Sequence, residues 1–314
     1  MFLMIYLIKF ILIYFSFYLS FFINKKFKNF DQPGLNKTHK KKVLNSGGIG
    51  PMLILTVGIL YSMFYGQFEY SDYFYNIPQL WVAPTSILIF TLISFYDDFN
   101  YIPYQVRLCV QLSIIYLCIS LFPINPEYNF QTPIFNGMIP LKIDIILTIF
   151  FWVFIINSTN FVDGADGMYS FQITSTFFAL SVIFYFIEEF FHFYVSLSMF
   201  LIGFTFLPFN LGNKFKMYIG DTGSIPSGFV LGWMTLSLIN MGYYLSGILI
   251  NILFLSDVTI TLIRRLFNKK SIFLRHNDFI FKQTIIKYGS KNYFSYALPL
   301  QIIFVFLAIF LCLV

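Results

Sequence analysis

The chain has 314 residues, 58% of them hydrophobic and 11% charged, with a net charge of +6 and a mean hydropathy of +0.75. A water-soluble domain carries roughly a quarter of its residues as charged side chains, so the composition excludes one. It also excludes nucleic-acid binding, because no soluble basic fold is present. Cys109, Cys118 and Cys312 all fall in apolar runs without metal-ligand spacing, which argues against a disulfide framework.

Apolar runs near the ~20 residues that cross a bilayer recur at about 2–23, 48–65, 79–96, 105–122, 141–156, 168–187, 192–209, 224–240, 243–263 and 294–314. The pattern predicts an all-α polytopic membrane protein, a bundle of about ten transmembrane helices. No polar stretch leaves room for a second domain, so 1–314 reads as a single integral membrane domain. The first run, Phe2–Ile23, is too long for a signal-peptide core. It lacks a basic leader and a small-residue cleavage site, and is expected to stay as a membrane helix.

Lys and Arg concentrate in alternate connections. Lys25, Lys26, Lys28, Lys37 and Lys40–Lys42 precede the second run, and Arg264, Arg265, Lys269, Lys270, Arg275, Lys282, Lys287 and Lys291 precede the last. Arg107, Lys214 and Lys216 fall on the same side, leaving only Lys9 and Lys142 at or near the spans. The opposite connections hold Glu69, Asp72, Glu127, Glu188 and Glu189. Basic loops stay in the cytoplasm, which predicts a cytoplasmic basic face and both termini outside. The net positive charge then holds the topology and attracts anionic membrane lipids.

Three acidic strings lie at that basic face. Asp97 and Asp98 close the third run. Asn157-Ser-Thr-Asn160-Phe-Val-Asp163-Gly164-Ala-Asp166-Gly167 joins the fifth and sixth. Gly220-Asp221-Thr222-Gly223-Ser224 opens the eighth. Each has a bland reading: a helix end, a tight turn of turn-forming residues, an N-cap at Thr222 or Ser224. Each also has a chemical one. Adjacent carboxylates can share a proton, bind a divalent cation or act as a base. Asp and Asn oxygens suit Mg²⁺, which keeps phosphate oxygens in its shell. Amides at a helix start favour phosphate. Charges so near a membrane are costly unless they serve a function, and five Asp at three helix ends favour the chemical reading.

These strings resemble the polyprenyl-phosphate N-acetylhexosamine-1-phosphate transferase family, glycosyltransferase family 4. Four stretches are similar, in order, over nearly the whole chain: Asp31 to His39 with Gly47-Gly48; Asp97-Asp98 with Ile102-Pro103, Arg107 and Gln111; Asn157 to Gly167; and Gly220 to Ser224. Asn36 stands where the family usually has Arg. Asp257 and Arg264-Arg265 resemble the ninth span, and the loop after it resembles the family's histidine loop through Arg275-His276. Phe279 stands where a second His is usual. The loop does not resemble the triple-histidine pattern of the peptidoglycan-precursor branch.

The resemblance implies an enzyme that passes a sugar-1-phosphate, an N-acetylhexosamine-1-phosphate, from a UDP-sugar to undecaprenyl phosphate. The product would start a lipid-linked glycan, with release of UMP, at the bacterial cytoplasmic membrane. It further implies Mg²⁺ (or Mn²⁺) held by Asp221 with Asn160, and Asp97 or Asp98 positioning or deprotonating the lipid phosphate. Asn157, Asp163, Gly164 and Asp166 would line the nucleotide pocket. Lys37, His39, Arg275 and His276 would meet phosphate or sugar, and relatives imply a homodimer. Two other classes compete. An intramembrane prenyltransferase would need Asp-x-x-x-Asp spacing, whereas Asp97 and Asp98 are adjacent. A transporter would place its acids near mid-membrane, not at one face.

Overall fold

The computed structural model describes residues 2–32, 42–65, 81–121, 124–125, 128–129, 140–212, 214–272 and 276–313. Among them the helices are α1 (Phe2–Lys26), α2 (Ile49–Tyr65), α3 (Val82–Phe99), α4 (Tyr104–Leu121), α5 (Leu141–Val162), α6 (Met168–Phe186), α7 (Phe190–Leu211), α8 (Asp221–Asn240), α9 (Tyr244–Phe267), α10 (Ile280–Tyr288) and α11 (Ser290–Leu313). Eight of them are long and apolar enough to cross a membrane, and α2 and α4 are shorter apolar helices. The chain is a multi-pass, all-α membrane protein. Hydrocarbon offers no partner to backbone N–H and C=O groups, so the apolar runs satisfy them internally as helices.

Two corrections to the predicted elements bear on the site. The fifth helix continues past 156 to Val162, so Asn157 and Asn160 are helical rather than part of a loop. Asn157 Nδ2 donates to Val153 O one turn back and to Gln111 Oε1 on α4, both at 2.8 Å. This satisfies the polar side chain without breaking the helix. The connection predicted between Arg264 and the last span contains α10. Its first amides, Ile280 N and Phe281 N, donate to Asp257 on α9 at 2.9 and 2.8 Å.

Helix α8 is the axis of the bundle. Every residue from Thr222 to Ile239 is buried. Its main neighbours are α5 and α3, with α9, α2, α6 and α7 closing around it. Small residues let backbones approach closely inside a membrane. Gly48, at the entry to α2, meets Gly223 so closely that a Cβ on Gly48 would lie 2.3 Å from the Gly223 Cα. Trp152 on α5 stacks on Phe229 of α8 and donates to its carbonyl at 2.9 Å. The outermost helix, α11, has only 22% of its apolar window buried, a face suited to lipid.

A two-stranded antiparallel ribbon, β1 (Phe30–Asp31) and β2 (Val43–Leu44), follows α1. Leu44 bridges to Met217, and Tyr218 N donates to Leu44 O at 2.9 Å. A second ribbon, β3 (Ile124–Asn125) and β4 (Tyr128–Asn129), lies after α4. The first ribbon ties the end of α1 to the segment that leads into α8.

Candidate active site

The site is built around the first turn of α8. Gly220 turns the chain there with φ of 73°, and a Cβ at this position would lie 2.7 Å from both Asp98 Oδ2 and Ser46 N. Only glycine takes this conformation and this contact without strain.

Four consecutive amides at this turn are claimed by two carboxylates from other helices. Asp163, just past α5, accepts from Ile219 N at 3.3 Å and Gly220 N at 2.9 Å. Asp98, on the last turn of α3, accepts from Asp221 N at 3.3 Å and Thr222 N at 3.2 Å. It also accepts from Thr222 Oγ1, from Ser46 Oγ at 2.6 Å and from Asn45 Nδ2 at 3.0 Å. The expectation that these amides stand free for phosphate is therefore corrected: protein carboxylates cap them. The N-cap is Gly220 without a side-chain bond, and Asp98 does from across the bundle what an N-cap at Thr222 or Ser224, the bland reading of this string, would do locally. Carboxylates at a helix start gain from its dipole as well as from the hydrogen bonds.

The members of the Asp97-Asp98 pair point to different partners. Asp98 is enclosed by donors. Asp97 accepts from Ile102 N at 2.6 Å through Oδ1, and its Oδ2 faces Arg107 Nη1 at 3.0 Å. The same arginine nitrogen lies 2.5 Å from Asp221 Oδ2. Asp221 Oδ1 is fixed by Asn160 Nδ2 at 2.7 Å, and that nitrogen also donates to Ser224 Oγ at 2.9 Å. Asn160 thus presents its amide nitrogen to Asp221 and orients it.

Burial pushes the Asp163 carboxyl up to about 8. Its two amide bonds act the other way, and the charges of Asp221 and Asp98 add to the upward push. Asp166 lies at the rim, paired with Lys216 Nζ at 2.5 Å and accepting from Tyr218 OH at 3.1 Å. Lys282 of α10 lies over Gly164, its Nζ 3.0 Å from where a Cβ would stand. His276 stacks on Phe279 with ring centroids 4.6 Å apart. Burial, aided by the Arg265 charge, pulls its imidazole down to about 4, so it is neutral near pH 7. Arg265 pairs with Asp278 and donates to Ser271 O, tying the loop to the end of α9.

The structure thus brings Asp97, Asp98, Asn160, Asp163 and Asp221 together, with Asn157, Gly164 and Asp166 beside them. His276 sits in the adjoining loop. Lys37, His39 and Arg275 lie outside the described residues. Sequence reasoning placed Arg107, the sole charged residue of α4, and Ser46, Thr222, Lys216, Tyr218 and Lys282 outside the candidate site residues. Arg107 carried a signal: a single cation in an apolar segment, at the end shared with the lone acids. Ser46 and Tyr218 carried none.

The donor set suits a hard divalent cation. Among the described residues no three His, Cys, Asp or Glu side chains surround a single point. However, Mg²⁺ is commonly held by one or two carboxylates together with substrate phosphates. Asp97 and Asp221 each direct one oxygen to a common position, where a cationic nitrogen now lies.

The chain matches the family model described as Glycosyl transferase family 4 over residues 80–239, just over half its length. It belongs to glycosyl transferase family 4. The matched stretch contains every acidic residue at the start of α8, and Arg107 and Asn160 with them. Among family 4 relatives, the chain is similar to the probable undecaprenyl-phosphate N-acetylglucosaminyl 1-phosphate transferase of Bacillus subtilis, at 25% identity over 77% of this chain and 65% of the relative. It is 30% identical to the phospho-N-acetylmuramoyl-pentapeptide-transferase of Staphylococcus saprophyticus, over 48% of this chain and 50% of that one. It is 26% identical to the undecaprenyl-phosphate alpha-N-acetylglucosaminyl 1-phosphate transferase of Escherichia coli K12, over 68% and 56%. The chain spans about half to two thirds of the length of these curated relatives.

Proposed function

We propose that this chain transfers a sugar-1-phosphate, an N-acetylhexosamine-1-phosphate, from a UDP-sugar to undecaprenyl phosphate. The transfer releases UMP and begins a lipid-linked glycan at the cytoplasmic face of a bacterial inner membrane. The observation that carries this reading is the convergence of Asp97, Asp98, Asp163 and Asp221, from three separate helix ends, on the first turn of one buried helix. The names of the family 4 relatives supply the substrate class. The basic loops at the same end support a cytoplasmic orientation.

The lipid phosphate is anionic near neutral pH and needs little activation. One of its oxygens forms a bond to the β-phosphorus of the nucleotide sugar, and the bond from that phosphorus to the bridging oxygen breaks. UMP leaves with the electron pair. The obstacle is repulsion among several negative charges, so catalysis rests on alignment and charge neutralisation. Mg²⁺ or Mn²⁺, when bound at Asp221, would supply that neutralisation. Asn160 orients Asp221, and Asp98 and Asp163 fix the turn that presents it. Asp97 borders a small cleft lined by Phe90, Ile93, Val110 and Ile225, with Arg107 and Gln111 at its polar side. Asp166, Gly164 and Tyr218 border the nucleotide side, and His276, neutral, is available to hydrogen-bond sugar hydroxyls. The histidine loop lacks the triple-histidine pattern, which favours an unadorned hexosamine over a peptide-bearing one.

The test is UMP release by purified protein, with undecaprenyl phosphate and a panel of UDP-sugars. Release is expected to require both substrates and a divalent cation, and to fall sharply in Asp221→Asn. UMP formation that continues without lipid phosphate, or at full rate in Asp221→Asn, would overturn the assignment.

A further inference from the structure

The geometry points to Arg107 as a built-in counter-cation that holds the Asp97 and Asp221 oxygens in the absence of nucleotide and yields them to a divalent metal when a diphosphate draws it away. This inference rests on the proposed function, because it concerns the metal assigned there.

Each carboxylate is anchored on one side by a neutral donor: Asp97 by Ile102 N and Asp221 by Asn160 Nδ2. The two remaining oxygens face the same atom, Arg107 Nη1, at 3.0 and 2.5 Å. Without a cation between them, these two acids would repel across the mouth of the site. A single guanidinium nitrogen can bridge them, but it brings only one positive charge.

Carboxylates and diphosphates compete for the same fork of N–H donors. The Arg107 side chain is 29% exposed and borders the cleft beside Asp97, so it can reach an incoming anion. Once turned towards phosphate, it leaves two acidic oxygens without their cation. Metal affinity should therefore be weak alone and stronger with a nucleoside diphosphate present. Such coupling is reciprocal. Arg107 is on this view a positioning residue whose loss separates two quantities: metal binding tightens, while its dependence on nucleotide disappears.

The experiment measures Mn²⁺ binding to the purified full-length protein in lipid nanodiscs, by electron paramagnetic resonance, with and without UDP. The wild type is expected to bind Mn²⁺ on the order of tenfold more tightly with UDP than without it. Arg107→Gln should bind Mn²⁺ more tightly than wild type without UDP, and UDP should add little. Arg107→Lys, which keeps the charge in a compact ammonium, should fall between the two and guards against a folding defect in the glutamine variant. If Mn²⁺ binds, depends on Asp221 and is no tighter in Arg107→Gln, the counter-cation is refuted while the metal site stands. If no variant binds Mn²⁺, with or without UDP, both this inference and the metal in the proposed function fall.

Discussion

The first turn of α8 and the segment between α9 and α11 adjoin each other, yet they are built in opposite ways. Around α8 the decisive bonds join distant parts of the chain: Asp98 to Thr222 spans 124 positions, Asn160 to Asp221 spans 61 and Asp163 to Gly220 spans 57. In the other segment they are short: Arg265 to Ser271 spans 6, Arg265 to Asp278 spans 13 and Asp257 to Ile280 spans 23. A corner assembled from several helices cannot change in one place without disturbing the rest. A loop tied to the end of its own helix can be rewritten alone. Under the proposed function, phosphoryl chemistry would belong to the corner and choice of sugar to the loop.

The sharpest way to break this division is to remove a charge at the corner. Asp221→Asn and Asp97→Asn should each lower transfer about 100- to 1000-fold, the range for losing one group that stabilises transition-state charge. Thermal melts of the same variants should show little change in melting temperature, since neither carboxylate caps the helix. If either variant keeps near-normal turnover, the corner is not the reaction centre.

Asp98→Asn should behave differently from its neighbour. Its carboxylate accepts five bonds and closes the start of α8. Replacing an acceptor by an amide that presents donors should cost about 1–3 kcal/mol in stability. Melting of Asp98→Asn beside Asp97→Asn in one detergent checks this. Equal melting points would remove the distinction between the two acids.

In the loop, Asp278→Ala frees Arg265 from its ion pair while leaving the corner intact. The expected result is a several-fold rise in KM for the UDP-sugar with kcat nearly kept, because uniform binding rather than transition-state stabilisation is lost. A comparable fall in kcat would move the loop into the chemistry.

The smallest effect concerns pH. His276 is held near 4, below the 6.5 of an exposed imidazole. The folded chain therefore binds fewer protons there than the unfolded one, and stability is lost as pH falls from about 6.5 towards 4. His276→Gln should flatten part of that decline between pH 7 and pH 5 in thermal melts. An unchanged profile would show that the stacked imidazole does not contribute to it.

The helices were legible because lipid imposes one rule on the backbone, and each of the ten apolar runs became a helix within a few residues of its expected ends. The exceptions were polar sequences whose partners lie elsewhere. Asn157 and Asn160 read as loop formers, but Gln111 and Asp221 satisfy them inside a helix. The segment around Ile280 read as loop because its cap, Asp257, stands 23 positions earlier. The acids of the site were visible as charges out of place in an apolar chain. Their division of labour was not, because whether Asp97 or Asp98 is enclosed depends on Ser46, Asn45 and Thr222 arriving from other strings. Arg107 was visible as a residue but not as the partner of two acids, since only the folded chain brings Asp97 within reach of Asp221.

The fastening of α8 by Asp98 and Asp163 also sets an order for biosynthesis. A nascent chain that has threaded α1 to α7 into the bilayer already carries both acids, but the amides that receive them have yet to leave the ribosome. Until α8 enters among its predecessors, those acids lack the amides that cap them in the folded chain. Completion of the candidate site then coincides with the moment at which the central helix is drawn in and the acids are covered.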